Sequence, residues 1–175
     1  MTASTDLWIF GYGSLMWRPG FPYEENCRAR LYGFHRAFCI YSHVHRGTPE
    51  HPGLVLGLDK GGSCVGRAFR VAAENADAVV RYLDEREMVT AVYRPVMGRV
   101  RLAGETVAAR CYIADRTHSQ YAGKLAVEEQ ALLIAGAVGQ SGVNRDYALM
   151  TVDHLEEIGI TDGPLHQVAR LLRAV

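Results

Sequence analysis

The chain predicts an α+β protein built on a curved or barrel-like antiparallel sheet. Three observations lead there: strand patterns fill most of the first two thirds, one strongly helix-forming segment interrupts them, and helical segments close the chain. The first element is the apolar run Leu7 to Phe10, which enters Phe10-Gly11-Tyr12-Gly13-Ser14-Leu15-Met16-Trp17-Arg18-Pro19. That reads as a strand running into a tight loop. Glycine permits positive φ values and close backbone approach, which let consecutive N–H groups converge on an anion or a carbonyl oxygen. The loop is therefore a candidate pocket floor, with a plain structural turn as the competing reading. It lacks the third glycine of a dinucleotide fingerprint and the lysine of a P-loop, so nucleotide binding ranks well below both.

Leu54 to Leu58 and Cys64 to Val71 flank Asp59-Lys60-Gly61-Gly62, and Val96 to Leu102 and Val107 to Ile113 flank Ala103-Gly104, so two hairpins are predicted. In the second, Val96, Val100 and Leu102 alternate with Met97, Arg99 and Arg101. Val107, Ala109, Cys111 and Ile113 alternate likewise with Ala108, Arg110 and Tyr112, giving one wet face and one buried face. A helix is predicted from Ala72 to Glu87, and further helices over Leu125 to Gly139, Asn144 to Ile158 and Pro164 to Arg173.

At 175 residues, with 49% hydrophobic and 22% charged side chains, the chain fits one soluble domain over 1–175. Lys plus Arg and Asp plus Glu both count 19, so no charge surplus points to nucleic acid; small neutral or zwitterionic molecules fit better. Cys27, Cys39, Cys64 and Cys111 are scattered, and the sequence shows no signal peptide or membrane-length apolar run, which predicts a cytoplasmic protein with reduced thiols and no membrane partner.

The predicted central helix carries the chemical clue. At 100° per residue, Ala76, Val80, Leu83 and Glu87 fall within about a quarter-turn of one another, while Glu85 lies opposite, near Arg81. Glu85 is then a solvated partner of Arg81, and Asp84 sits at the stripe's edge. Glu87 extends the apolar stripe. A carboxylate turned toward a core costs several kcal/mol unless paired or neutralised, which marks either a structural ion pair or a functional group. The residues alone favour the ion pair, with Arg86 or Arg94 as partner.

Other features take plainer readings. His43, His45 and His51 match no structural zinc spacing, so no metal is expected. Arg46 is a candidate for a substrate carboxylate or a loop cap, His154 for surface or packing, and Tyr12 for core filling or a pocket wall. The last helix, with Leu165, Val168, Ala169, Leu171 and Leu172, is amphipathic packing or a dimer face, leaving monomer and homodimer both open. No cysteine shares a motif with a histidine, which disfavours a thiol nucleophile.

Taken together, several segments resemble the ChaC family of γ-glutamylcyclotransferases. They are Phe10 to Phe21, His45-Arg46-Gly47-Thr48-Pro49-Glu50 with Pro52-Gly53-Leu54-Val55-Leu56, Tyr82-Leu83-Asp84-Glu85-Arg86-Glu87-Met88-Val89-Thr90, Tyr93-Arg94-Pro95, and Ser141-Gly142 with Asn144 and Tyr147. The resemblance implies a small, partly open barrel with surrounding helices, and action on glutathione to give 5-oxoproline and cysteinylglycine without a cofactor. It places Glu87 on the family's catalytic glutamate and Tyr12, Gly13, Ser14 and Leu15 on the segment that holds the γ-glutamyl moiety. Tyr147 falls on a substrate-side tyrosine, and Arg46 becomes a candidate contact to the far half of glutathione. The alternatives are a cyclotransferase for other γ-glutamyl amino acids or amines, and a non-catalytic γ-glutamyl-binding or regulatory protein linked to cation transport. A carboxylate on the apolar stripe discriminates, because a binding module has no need of one beside a substrate amine.

Overall fold

The computed structural model describes residues 5–175. Five strands form a closed barrel: β1 (Leu7–Gly11), β2 (Glu25–Ser42), β3 (Gly53–Val71), β4 (Tyr93–Arg101) and β5 (Thr106–Ala114), in the order β1-β3-β2-β4-β5. The ring is antiparallel except where β1 and β5 close it in parallel, with Trp8 opposite Ala109 and Ile9 opposite Arg110. The remaining elements are α1 (Ala76–Glu87), α2 (Val127–Gly136), a two-stranded ribbon of β6 (Val138–Gly139) and β7 (Gly142–Val143), α3 (Asn144–Glu157) and α4 (Gly163–Arg173). The α+β barrel architecture is the one expected.

The chain divides into two compact units. The first holds the chain up to His35 and Leu58–Asp115, and the second holds Arg36–Gly57 and Arg116–Val175. In the first unit, period-2 alternation turns Phe10, Leu31, Leu58, Ala68, Val100 and Cys111 into one buried cluster. A second cluster gathers Ile9, Phe69, Val71 and Tyr112 from the opposite faces of β1, β3 and β5 around Val79 and Leu83 of α1, with Leu15 and Phe21. The expectation of one wet face holds for β4, where Met97, Arg99 and Arg101 are exposed, and is corrected for β5, where Tyr112, alternating with Cys111, is only 2% exposed. Helix α1 docks through Val79 and Leu83, so Val79 takes the place expected for Val80.

The first predicted hairpin is overturned. Leu54 to Val71 lies within one long strand, β3, and Gly61 and Gly62 adopt φ of +108° and +69° inside it. The glycine pair kinks a continuous strand rather than reversing the chain, as a local irregularity in a strand does. The second predicted hairpin is present as β4 and β5, paired from Tyr93 opposite Ala114 to Arg101 opposite Thr106. Strand β2 was not expected, although Cys27, Ala29 and Leu31 alternate with Arg28, Arg30 and Tyr32 along its first half.

In the second unit α2, α3 and α4 pack on one another through Ile134, Ala148, Val152, Leu155, Leu165, Val168 and Leu172, all fully buried. Asp162 caps α4, its carboxylate accepting from the Leu165 N–H, and Pro164 occupies the first turn where its missing donor is harmless. Leu171 lies off the buried stripe. The helix expected up to Gly139 ends at Gly136, because Val138–Gly139 pairs with Gly142–Val143 instead. Asn144, wholly buried, accepts from the Leu54 N–H at 2.8 Å and donates to the Leu54 carbonyl at 2.9 Å, so its amide serves the backbone of β3 as another strand would.

Candidate active site

The residues singled out from the sequence fall in both units. Tyr12, Gly13, Ser14, Leu15 and Glu87 belong to the first, and Arg46 and Tyr147 to the second.

In the first unit β1 ends at Gly11 and a single 3-10 turn follows at Ser14–Met16. The Met16 N–H donates to the Gly13 carbonyl at 2.9 Å and the Arg18 N–H to the Ser14 carbonyl at 2.7 Å. The turn's hydrogen bonds begin at Met16, so the amides of Gly13, Ser14 and Leu15 occupy the positions that a helical turn leaves without an internal acceptor. Gly11 and Gly13 do not supply positive φ. Gly13 sits at φ −138°, and Gly11 serves close packing, since a Cβ there would lie 3.0 Å from Cβ of Leu15. Tyr12 is half-buried against the barrel core, Leu15 is buried, and Ser14 is exposed.

The last turn of α1 presents three carboxylates with different surroundings. Asp84 accepts from Tyr112 Oη at 2.6 Å and from Arg110 Nη2 at 2.8 Å, while Arg110 Nε donates to the same tyrosine oxygen at 3.1 Å. Partial burial raises the Asp84 carboxyl, but the bonds from Tyr112 and Arg110 and the charge of Arg110 outweigh it, leaving the carboxyl below its ordinary value. Glu87 has one polar partner among the described residues, Arg86, whose Nε lies 3.5 Å from Oε1. Burial pushes the Glu87 carboxyl above its ordinary value and the Arg86 charge pulls it only part of the way back. Glu85 is exposed, as expected.

The Arg86 guanidinium reaches the loop after β1. Nη2 donates to Ser14 Oγ at 3.0 Å, and Nη1 donates to the Arg18 carbonyl at 2.8 Å, with the Pro19 carbonyl at 3.3 Å and Tyr82 Oη at 3.2 Å. Gly20, at φ +73°, lets the loop lie on α1: a Cβ there would fall 2.2 Å from Tyr82 Oη. The sequence offered Arg86 only as an ion-pair partner. Its bonds to carbonyls distant in the chain have no sequence signature, whereas its place beside Glu87 was visible.

In the second unit the Arg46 guanidinium lies over the Tyr147 ring, 5.3 Å from its centroid, and Nη1 donates to the Val143 carbonyl at 3.3 Å. Tyr147 Oη accepts from the Leu56 N–H at 3.1 Å. The two residues singled out separately thus form one pair, with the tyrosine tied to β3 and the arginine across its face. His45 Nδ1 lies 2.9 Å from Ser141 Oγ, and His43 stacks on Tyr41. Among the described residues no group of three or more His, Cys, Asp or Glu is placed to hold a metal ion, and no helix is long and apolar enough to cross a membrane. None of the four cysteines is in a disulfide, and burial pushes the Cys111 thiol up to about 12, far from a reactive thiolate.

Residues 7–175 match the family model described as ChaC-like protein. The glutathione-specific γ-glutamylcyclotransferase of Escherichia coli K12 is 38% identical over 93% of this chain and 71% of its own length. The human glutathione-specific γ-glutamylcyclotransferase 1 is 34% identical over 87% of this chain and 71% of its own. The crystal structure of a yeast γ-glutamyl cyclotransferase specific to glutathione superimposes with a TM-score of 0.84 at 23% identity, covering 97% of this chain and 96% of that one, a likeness of fold. By the extent of the family match and its identity to these relatives, this chain belongs to the ChaC-like family.

Proposed function

We propose that this protein is a γ-glutamylcyclotransferase that degrades glutathione to 5-oxoproline and cysteinylglycine, with Glu87 as general base and then acid. Two curated relatives that it resembles over most of their length carry glutathione-specific cyclotransferase names. The observation that carries the reading is Glu87: a carboxylate held largely out of water at the end of α1, raised by burial and only partly offset by Arg86. A base that must also return its proton as an acid works best with a pKa moved toward neutrality, the direction seen here.

The chemistry needs little else. The α-ammonium of the γ-glutamyl group gives a proton to Glu87, and the freed amine attacks the γ-carbonyl carbon. A new N–C bond closes the five-membered ring while the amide bond to cysteine breaks, the proton on Glu87 passes to the departing nitrogen, and the second proton shed by the ring nitrogen follows it, so that cysteinylglycine leaves as its ammonium form. Atoms and charge balance with no cofactor. The protein must hold the bent conformer, which supplies a large part of the rate through orientation. The Tyr12 to Leu15 segment is the proposed cradle, its first-turn amides serving the substrate α-carboxylate or the developing oxyanion. Arg46 and Tyr147 are proposed contacts to the cysteinylglycine half. One catalytic domain spanning the matched residues and a cytoplasmic setting, where glutathione is abundant and thiols stay reduced, complete the reading.

Incubation of purified protein with glutathione, followed by mass spectrometry, is expected to show 5-oxoproline and cysteinylglycine in equal amounts. Glutathione acetylated on its α-amine is expected to be inert, since the acetylated nitrogen is no competent nucleophile. No 5-oxoproline from glutathione, with release from γ-glutamyl amino acids, would move the assignment to the broader cyclotransferase class. No turnover of either would support a γ-glutamyl-binding protein.

A further inference from the structure

We infer that Arg86 is a positioning residue: its one guanidinium fixes the spacing between the loop Ser14–Pro19 and the Glu87 carboxylate. The inference rests on the cyclotransferase reading and adds a residue to it. Arg86 is adjacent to Glu87 in sequence, and its Nε lies 3.5 Å from Glu87 Oε1. Its other two nitrogens reach beyond α1, to Ser14 Oγ at 3.0 Å and the Arg18 carbonyl at 2.8 Å. Loop and base thus both contact a single rigid plane. Tyr82, one turn earlier, supports that plane from the helix side, with Oη 3.2 Å from Nη1, and Gly20 leaves the room that Tyr82 needs.

The shape of the guanidinium is what makes the arrangement work. It presents donors in a fixed fork and loses little freedom per bond formed, whereas an ammonium is a point charge on a flexible stem. A lysine here would keep a positive charge near Glu87 but has no geometry that reaches Ser14, Arg18 and Glu87 together. Because misplacement by about 1 Å between base and substrate can cost on the order of 10²-fold in rate, tying the cradle to the base through one planar group has direct catalytic value.

The test compares wild type, Arg86→Ala and Arg86→Lys, each checked for fold by circular dichroism, in glutathione turnover and in backbone hydrogen exchange. Arg86→Ala is expected to lower kcat/KM at least about tenfold, with the larger part in kcat, and free methylguanidine at non-denaturing concentration is expected to restore part of the rate. The lysine variant keeps the aliphatic stem and the charge, so it folds even where the alanine variant does not. Its rate is expected to stay well below wild type, with faster exchange at the Met16 and Arg18 amides. Full activity in Arg86→Lys would overturn the positioning role, since charge alone would then suffice. A loss confined to KM would also overturn it, by making Arg86 a direct substrate ligand. Wild-type protein that makes no 5-oxoproline overturns the functional reading and this role with it. An active wild type alongside a fully active Arg86→Ala overturns the role alone.

Discussion

Asp84 and Glu87 lie one turn apart on the same helix, and their surroundings push them in opposite directions. Asp84 faces β5, where Tyr112 and Arg110 both donate to one carboxylate oxygen, so its charged form is held below the ordinary carboxyl range although its side chain is 39% exposed. Glu87 is about half as exposed, at 19%, and has a single cation at 3.5 Å, so its charged form is the disfavoured one. Burial disfavours the charged form of both. At Asp84 the bonds from Tyr112 and Arg110 outweigh it and at Glu87 the single cation does not, which separates a group that holds the helix to the barrel wall from the carboxylate proposed for proton transfer.

The largest test of this contrast is kinetic. Glu87→Gln keeps the shape and removes the proton acceptor, so kcat for glutathione should fall on the order of 10²-fold or more with the circular dichroism spectrum unchanged. Glu85→Gln, on the exposed side of the helix, should stay within about twofold of wild type, the usual outcome for a surface change. Equal loss from both would remove Glu87 from the reaction. Asp84→Asn should act on stability instead. Hydrogen bonds to a charged group contribute about 1.5–3 kcal/mol when buried, and partial exposure brings this to about 1–2 kcal/mol, or about 3–6 °C in Tm. An Asp84→Asn variant with wild-type Tm but a hundredfold lower kcat would reverse the two roles.

What the sequence revealed of this corner, and what it hid, follows from how local each signal is. The 3.6-residue period placed Glu87 toward the core and Glu85 away from it, because both facts depend on one helix alone. The β4–β5 hairpin was legible for the same reason, its two strands alternating on either side of a short turn. Gly61-Gly62 misled because a glycine pair between two apolar runs looks the same whether the chain reverses or kinks; the decision belongs to β2, paired alongside β3. Tyr112 was read as facing water because it alternates with Cys111. Its burial comes from α1 packing on the outer face of the barrel, which no strand pattern announces. Asp84 stayed undecided for the same reason, its two donors lying on β5. The contacts of Arg86 with Arg18 and Pro19 go to backbone carbonyls, which carry no residue signature.

The smallest effect is the one that best separates a proton shuttle from a structural ion pair at Glu87. A carboxyl whose folded pKa lies above its unfolded value binds more protons in the native state than in the unfolded one between those two values. Its contribution to stability therefore falls as pH rises through that window. Removing the charge should then make Glu87→Gln more stable than wild type at neutral pH. The advantage should disappear well below the ordinary glutamate value of 4.5, where the carboxyl is neutral in both states. Asp84 runs the other way: its contribution is present above the unfolded pKa and is lost as pH falls through the lower folded one, so the deficit of Asp84→Asn should shrink in acid. Melting temperatures of the three proteins between acid and neutral pH give both curves. A structural ion pair with Arg86 predicts the opposite sign for Glu87, because a pair that stabilises the fold holds its carboxyl below the ordinary value and costs stability when broken. Glu87→Gln melting below wild type at neutral pH would establish the pair as structural, and the tenfold or greater loss expected of Arg86→Ala would then have to be explained by folding rather than by placement of a base.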